Sequence, residues 1–331
     1  MRYLSSFLLI LFFITGLAAA QESTEEAPEV TPEATEEATP SGPQITALGE
    51  DIFVTIPFDG TDRDFLLHVP ANADAAEALP LVLVLHGATM LAEDMASLSD
   101  FSALADQEGF LIAYPQSVEG YWNNIPGPGD GGQADDVGFI QTIIEQVSQR
   151  FDVADDQIYA AGFSNGGVMT YRLACEMGDQ LAGIAVVAGM MLNTQAQACT
   201  DAAPIPLLIV HGTGDQVLPW EGGVRFGEDQ FGDSAGVEIW FSPLQAAEFW
   251  AGLAGCVLRP QLSLLPDIDP DDGTREAQYN YPGCEDANDV VLLEVIGGGH
   301  TWPGGANAGS EGDSTDFSTS EVVWAFFAGL S

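Results

Sequence analysis

The sequence has very little positive charge. Its 331 residues include 50 Asp and Glu against seven basic side chains, all of them Arg, and the formal net charge is -43. Nucleic acid and anionic lipid both require a basic surface, so the composition argues against either as a partner. An apolar fraction of 46% is enough to build a sizeable core, which excludes disorder of the whole chain. A globular protein with an acidic surface is predicted.

Cysteine and histidine are also scarce, with four of each. No CxxC pair and no His-rich spacing accompanies them, so we predict no metal site. The four cysteines allow three pairings, and we favour structural disulfides over free thiols because the chain carries an export signal. The cysteines are Cys175, Cys199, Cys256 and Cys284.

A hydrophobic run long enough for an ordinary membrane span is missing at the N-terminus. Arg2 precedes an apolar run over residues 8–14, and small residues follow up to Ala20. This pattern predicts a signal peptide over residues 1–20 and a secreted protein, with a retained N-terminal anchor as the alternative. We expect no membrane insertion of the mature chain.

The segment 21–43 lacks the apolar residues that folding requires. It holds seven Glu, four Thr and four Pro, with Val30 as its one large aliphatic residue. We interpret it as a disordered acidic leader. Such a leader suits a protein held off a cell surface as well as one that is released. Residues 44–331 then form one catalytic domain, and nothing in the sequence predicts its oligomeric state.

Apolar strands alternate with helical segments along this domain. Residues 81–85 are continuously aliphatic, which is typical of a strand buried on both faces of a parallel sheet. Further strands are predicted at 157–161, 183–187 and 206–210, with helices between them. This order predicts an α/β fold, with a doubly wound, mostly parallel sheet and helices on both faces.

The strongest chemical signal is Gly162-Phe163-Ser164-Asn165-Gly166-Gly167, between a predicted strand and a helix expected near Val168. A GxSxG turn in this setting exposes a serine hydroxyl at a helix N-terminus, where developing negative charge is favoured. We predict Ser164 as a nucleophile; a plain Gly-rich turn is the alternative.

A serine nucleophile requires a base and an acid. In α/β-hydrolases the histidine comes last in the chain, which selects His300 in a Gly-rich loop after a predicted strand. Asp215 directly follows the strand at 206–210 and lies between the other two in sequence. The backbone N–H groups of Asn165 and Ala88 are the predicted oxyanion donors, with Thr89 as the alternative to Ala88.

The ordered motifs extend the likeness beyond one turn. They are LHGAT (85–89), YWNN (121–124), DDVGFI (135–140), GFSNGG (162–167), HGTGD (211–215), LPDIDPDDG (265–273) and GGGHTWPGG (297–305). Together they resemble the secreted feruloyl esterase and polyhydroxybutyrate depolymerase family of α/β-hydrolases. The resemblance implies the α/β-hydrolase fold, a Ser164–His300–Asp215 triad, a carboxylic ester substrate and disulfides between sequential cysteines. Ala88 is a departure, since many relatives have Cys there.

Three more residues are candidates for substrate binding. Trp122 and Asn123 lie in a Gly/Pro-rich loop, and Trp302 lies beside the candidate base. They could form an aromatic wall for an acyl group, or simply pack the loops.

We therefore expect a secreted serine carboxylesterase that requires no cofactor. Its expected substrates are feruloyl or acetyl esters of plant cell-wall polysaccharide, in polymeric or oligomeric form. Polyhydroxybutyrate depolymerase is the runner-up; a serine peptidase or a non-catalytic surface protein of the same fold are the weaker alternatives.

Overall fold

We analysed a computed structural model of the chain, which describes residues 48–73, 78–125, 134–227, 236–306, 309 and 312–330. The predicted signal peptide and acidic leader lie outside these residues. The described residues belong to the unit Gln44–Ser331. No helix among them is both long and apolar enough to cross a bilayer.

A ten-stranded mixed sheet forms the centre of this unit, in the order β1-β2-β4-β3-β5-β6-β7-β12-β11-β10. A separate hairpin is formed by β8 and β9. The strands are β1 Asp51–Phe58, β2 Thr61–His68, β3 Leu79–Leu85, β4 Leu111–Pro115, β5 Val153–Phe163, β6 Gly183–Val187, β7 Leu207–Gly212, β8 Gly223–Gly227, β9 Gly236–Trp240, β10 Gln261–Leu264, β11 Arg275–Tyr281 and β12 Val290–Ile296.

The six central strands, in the sheet order β4-β3-β5-β6-β7-β12, run parallel to one another. The outer strands are antiparallel: β1 and β2 form a hairpin that turns at Asp59-Gly60, and β10 and β11 flank the acidic run 265–273. The prediction of a mostly parallel sheet is confirmed. Parallel strands send their carboxyl ends to one edge, which is where ligands bind in α/β folds.

Seven helices of six or more residues pack on the sheet in the described part of the chain. They are α1 Ala92–Ser99, α2 Phe101–Glu108, α3 Asp136–Ser148, α4 Asn165–Met177, α5 Asn193–Ala198, α6 Pro243–Leu253 and α7 Thr319–Ala328. Local chemistry starts some of them: the Asp135 carboxylate accepts from Gly138 N–H at α3, and Ser242 caps α6.

Both faces of the sheet are buried, because side chains alternate along each strand. Leu81, Leu83 and Leu85 pack in one core with α3, α4 and α6. Val82 and Val84 point to the other face and pack in a second core with α1, α2 and α7. The continuous aliphatic pattern of β3 follows from this double burial, and the predicted helices on both faces are confirmed.

The disulfides join neighbouring cysteines in the sequence. Cys175 on α4 bonds to Cys199 after α5, and Cys256 after α6 bonds to Cys284 after β11. The bridged residues are 24 and 28 positions apart. The chain-entropy model assigns about 3.5 kcal/mol to closing each loop. The predicted disulfides are thus present, with the pairing that the family resemblance implies.

A buried histidine connects the edge of the sheet to helix α2. His68 lies between two carboxylates, with Nδ1 2.8 Å from Asp51 Oδ1 and Nε2 3.1 Å from Asp106 Oδ1. Burial opposes protonation of the ring, but the two carboxylates outweigh it and raise the pKa of His68. The two contacts of His68 therefore tie β1, β2 and α2 together.

Candidate active site

Ser164 occupies a strained turn between β5 and α4. Its backbone has φ 54° and ψ -119°, a conformation that is costly for a residue with a side chain. A Cβ at Gly162 would collide with the Gly166 carbonyl oxygen, so only glycine fits beside this turn. Helix α4 begins directly at Asn165, three residues earlier than predicted, and the Ser164 hydroxyl thus lies at the helix N-terminus.

The structure brings Ser164, His300 and Asp215 together. The Ser164 hydroxyl lies 2.8 Å from His300 Nε2, and His300 Nδ1 lies 2.6 Å from Asp215 Oδ2. Ser164 follows β5, Asp215 follows β7 and His300 follows β12, so all three are at the carboxyl edge of the parallel strands. This chain of contacts can pass the serine proton to the imidazole while the carboxylate holds the other ring nitrogen.

The two oxygens of Asp215 have different partners. Oδ1 accepts the backbone N–H groups of Val217 and Leu218, both at 2.8 Å, while Oδ2 faces His300. Burial favours the neutral acid, but the contact with His300 and the Leu218 N–H outweigh it, and the pKa of Asp215 is lowered. The side chain is therefore an anchored carboxylate with one oxygen directed at the imidazole.

The predicted oxyanion donors lie on either side of Ser164. The Asn165 N–H belongs to the first residue of α4, where the helix itself supplies no acceptor. In the loop after β3, the Thr89 N–H already donates to the Gly120 carbonyl oxygen at 2.7 Å. Of the two candidates in this loop, Thr89 is thus already engaged, and Ala88 remains the predicted donor.

Buried hydrogen bonds hold the loop after β3, which carries Ala88, in place. His86 Nδ1 lies 2.7 Å from the Gly87 carbonyl oxygen, and His86 Nε2 accepts the Ser117 N–H at 3.1 Å. Burial lowers the pKa of His86, which favours a neutral ring with the proton on Nδ1. His86 therefore helps to position the loop that carries Ala88.

A cavity of about 340 Å³ opens beside the candidate nucleophile. Its lining includes Ser164, His300, Ala88 and Thr89, together with five residues that the sequence did not single out for this pocket. Those five are Gly87, Met90, Tyr121, Phe163 and Val217. Phe163 packs against His300 with a ring-centroid distance of 5.2 Å. The cavity is large enough for a small ester and has both polar and apolar walls.

The three candidate substrate-binding residues are not among those that line this cavity. Trp122 is buried, and its Nε1 donates to the His86 carbonyl oxygen at 2.9 Å. The Asn123 amide donates to the Ala134 carbonyl oxygen at 3.1 Å. Trp302 is buried against Phe101, with a ring-centroid distance of 6.0 Å. In the structure all three make packing contacts in the loops around the site, which favours the second of the two interpretations given for them.

A buried ion pair supports the loop of Tyr121 and Trp122. Arg63 Nη2 lies 2.8 Å from Asp136 Oδ1, and Asp136 Oδ2 accepts the Asn123 N–H at 2.8 Å. The Trp122 N–H donates to Asn165 Oδ1 at 2.9 Å, which connects the same loop to the start of α4. The ion pair is therefore linked through this loop to Asn165, the predicted oxyanion donor.

A buried acid lies behind the His300 loop. Glu276 on β11 accepts the Ser314 hydroxyl at 2.8 Å, and the Ser314 carbonyl oxygen accepts the N–H of Gly304. Burial and, to a smaller extent, the neighbouring Asp316 carboxylate together raise the pKa of Glu276 to about 7. A protonated Glu276 thus stabilises the segment that supports the His300 loop.

No group of three or more His, Cys, Asp or Glu side chains suited to a metal ion occurs among the described residues. Carboxylates of the acidic run 265–273 accept hydrogen bonds from the protein backbone. Asp272 accepts the N–H groups of Thr274 and Thr315, at 2.7 and 2.9 Å.

Comparison with protein families gives a match over residues 64–218 to the family described as Esterase PHB depolymerase. "Putative esterase NocK" of Nocardia uniformis subsp. tsuyamanensis is 34% identical over 252 residues, covering 74% of this chain and 72% of NocK. "Probable feruloyl esterase C" of Aspergillus oryzae is 31% identical over 170 residues, covering 49% of this chain and 58% of that protein.

Among solved structures, "Acetyl xylan esterase from Aspergillus awamori" is similar in fold. The TM-score is 0.58 at 16% sequence identity, and the match covers 85% of this chain and all of that one. The matches cover between 25% and 72% of the length of the first four curated relatives.

Proposed function

Since this chain belongs to the Esterase PHB depolymerase family, we propose that it is a secreted serine carboxylesterase acting on feruloyl or acetyl esters of plant cell-wall polysaccharide. The observation that carries the proposal is the contact series from Ser164 through His300 to Asp215, with distances of 2.8 and 2.6 Å. The names of the relatives support the choice of ester.

The first half-reaction forms an acyl-enzyme. The Ser164 oxygen attacks the ester carbonyl carbon as its proton passes to His300 Nε2, and Asp215 stabilises the imidazolium. The N–H groups of Ala88 and Asn165 bind the oxygen that becomes negative. When the intermediate collapses, the carbon–oxygen bond to the alcohol breaks and His300 gives its proton to that alcohol.

The second half-reaction uses water in place of the serine. His300 removes a proton from water, whose oxygen attacks the acyl carbon, and the oxyanion donors act again. Collapse breaks the bond to Ser164, which recovers its proton, and the carboxylic acid is released. The residues present can complete this cycle without a cofactor.

Export and the acidic leader belong to the same proposal. A signal peptide over 1–20 and a leader over 21–43 would deliver the catalytic domain 44–331 to the outside, where polysaccharide is found. The two disulfides support an oxidising location.

The test compares two soluble esters with the purified mature protein. Hydrolysis of methyl ferulate and of a 3-hydroxybutyrate trimer is measured at two salt concentrations, with Ser164→Ala as the blank. We expect faster hydrolysis of methyl ferulate and none by the variant. Preference for the trimer would instead favour the polyester reaction in the family's description. Activity on neither of these and on no acetyl ester would overturn the proposal.

A further inference from the structure

The outermost strand β10 has one edge that faces no other strand in the described part of the chain. All its residues are exposed, and none of them is charged. An open strand edge pairs readily with a strand of another molecule unless charge or proline protects it. On β10, Leu262 and Leu264 are 59% and 70% exposed. The edge of β10 therefore has the properties of an interaction surface.

The backbone groups of these two leucines point away from the sheet. Directly after the strand, the Leu265 N–H donates to the Glu276 carbonyl oxygen on β11 at 2.9 Å. Because backbone groups of successive residues point to opposite sides of a strand, those of Ser263 also face β11. The N–H and C=O groups of Leu262 and Leu264 are therefore directed outward, where one further strand can pair with them.

The residues on either side of Ser263 are arranged symmetrically. Leucines stand one position away on each side, prolines three positions away, and an Arg and an Asp four positions away. In that order they are Leu262 and Leu264, Pro260 and Pro266, and Arg259 and Asp267. In an antiparallel pair of two copies centred on Ser263, each residue lies opposite its counterpart. The prolines have no N–H group, so they limit the pairing to residues 261–265.

We propose that β10 pairs with β10 of a second copy of the chain about a two-fold axis at Ser263, so that one sheet continues through both copies. Leu262 of each copy then exchanges both backbone hydrogen bonds with Leu264 of the other. The leucine side chains share one face of the sheet, where they cover each other across the axis. The proposal concerns assembly and does not depend on the esterase function.

Charge complements this pairing at its two ends and opposes it at longer range. Arg259 is exposed and comes opposite Asp267 of the other copy, which also lies 3.2 Å from Arg275 of its own chain. The net charge of -43, however, makes two copies repel each other. Added salt screens that repulsion, so we expect the dimer to be favoured at higher ionic strength.

A cysteine on the two-fold axis tests the register directly. Ser263 of each copy occupies a position where the paired Cα atoms are about 4.5 Å apart, which a disulfide can bridge. Gln261→Cys is the matched control, because residue 261 is equally exposed on β10 but lies about 13 Å along the strand from its equivalent in the other copy. The native cysteines are all paired, so each variant has one new thiol.

Under mild oxidation, we expect Ser263→Cys to form a covalent dimer on a non-reducing gel and Gln261→Cys to remain a monomer. Cross-linking of neither variant, or of both at the same rate, would overturn the proposal.

Sedimentation equilibrium of the mature protein at low and high salt measures the association without a cross-link. Leu262→Lys places a charge at the pairing edge and should raise the dimer Kd about tenfold or more. Phe53→Lys is the control: Phe53 lies on β1 at the opposite edge of the sheet and is 55% exposed, against 59% for Leu262. It should leave Kd unchanged. A native protein that is monomeric at both salt concentrations, or an equal effect of the two Lys variants, would overturn the proposal.

Discussion

Replacing Asp215 by Asn should abolish most of the activity without unfolding the protein. The Val217 and Leu218 N–H groups both need an acceptor, so the Asn oxygen will take the place of Oδ1. The new amide NH₂ must then face His300 Nδ1, which lies 2.6 Å from Oδ2 in the native protein. Because two donors cannot pair, the imidazole proton moves to Nε2, where it blocks proton transfer from Ser164.

A wrong tautomer of this kind lowers kcat by about 10⁴-fold, or about 5.5 kcal/mol of transition-state stabilisation. The assay is kcat and KM for methyl ferulate, with thermal unfolding measured alongside. The matched control is Asp135→Asn, since Asn caps a helix about as well as Asp does. A loss smaller than about tenfold in a folded Asp215→Asn variant would refute the proposed relay.

Three further predictions concern stability, all measured as unfolding of native and variant protein. The pKa of Glu276 is raised to about 7, so the native protein loses stability as the pH rises from about 4 to above 7. The variant Glu276→Gln should therefore become more stable relative to the native protein over that range. A difference in stability between the two that stays constant with pH would refute this. The pKa of His68 is raised, so the loss of stability caused by His68→Gln should be largest below about pH 6.5 and should shrink as the pH rises through the pKa of the folded state. A stability difference between variant and native protein that grows with pH would contradict this. Arg63→Met leaves the Asp136 carboxylate buried without its cation and should cost about 3–5 kcal/mol in urea unfolding at pH 7; a cost below about 1 kcal/mol would contradict this.

The central part of the fold could be predicted because each signal is local. The continuous aliphatic run of β3 requires burial on both faces, and the Gly-rich turn at Ser164 requires a strand before it and a helix after it. With only four histidines in the chain, the order of the motifs was enough to select His300. The structure brings the selected triad residues into hydrogen-bond distance.

The remaining features depend on contacts between distant segments. Trp122 was selected for the pocket, but its neighbour Tyr121 lines it, and a shift of one residue in an extended segment reverses the side-chain direction. The partner of Arg63 lies 73 residues away, and Glu276 meets Ser314 at a separation of 38. No local pattern reports such pairs. Helix α4 begins at Asn165, immediately after the strained serine, and the sequence gives no local signal for this early start.

The parallel order of the sheet also determines when the protein can first act. Ser164 and His300 are 136 residues apart, and β12, which carries His300 at its end, lies beside β7 in the sheet. Contacts of this separation form slowly. A chain synthesised only as far as β11 therefore contains Ser164 without His300, so under the proposed mechanism the protein would be inert until its last parallel strand has joined the sheet.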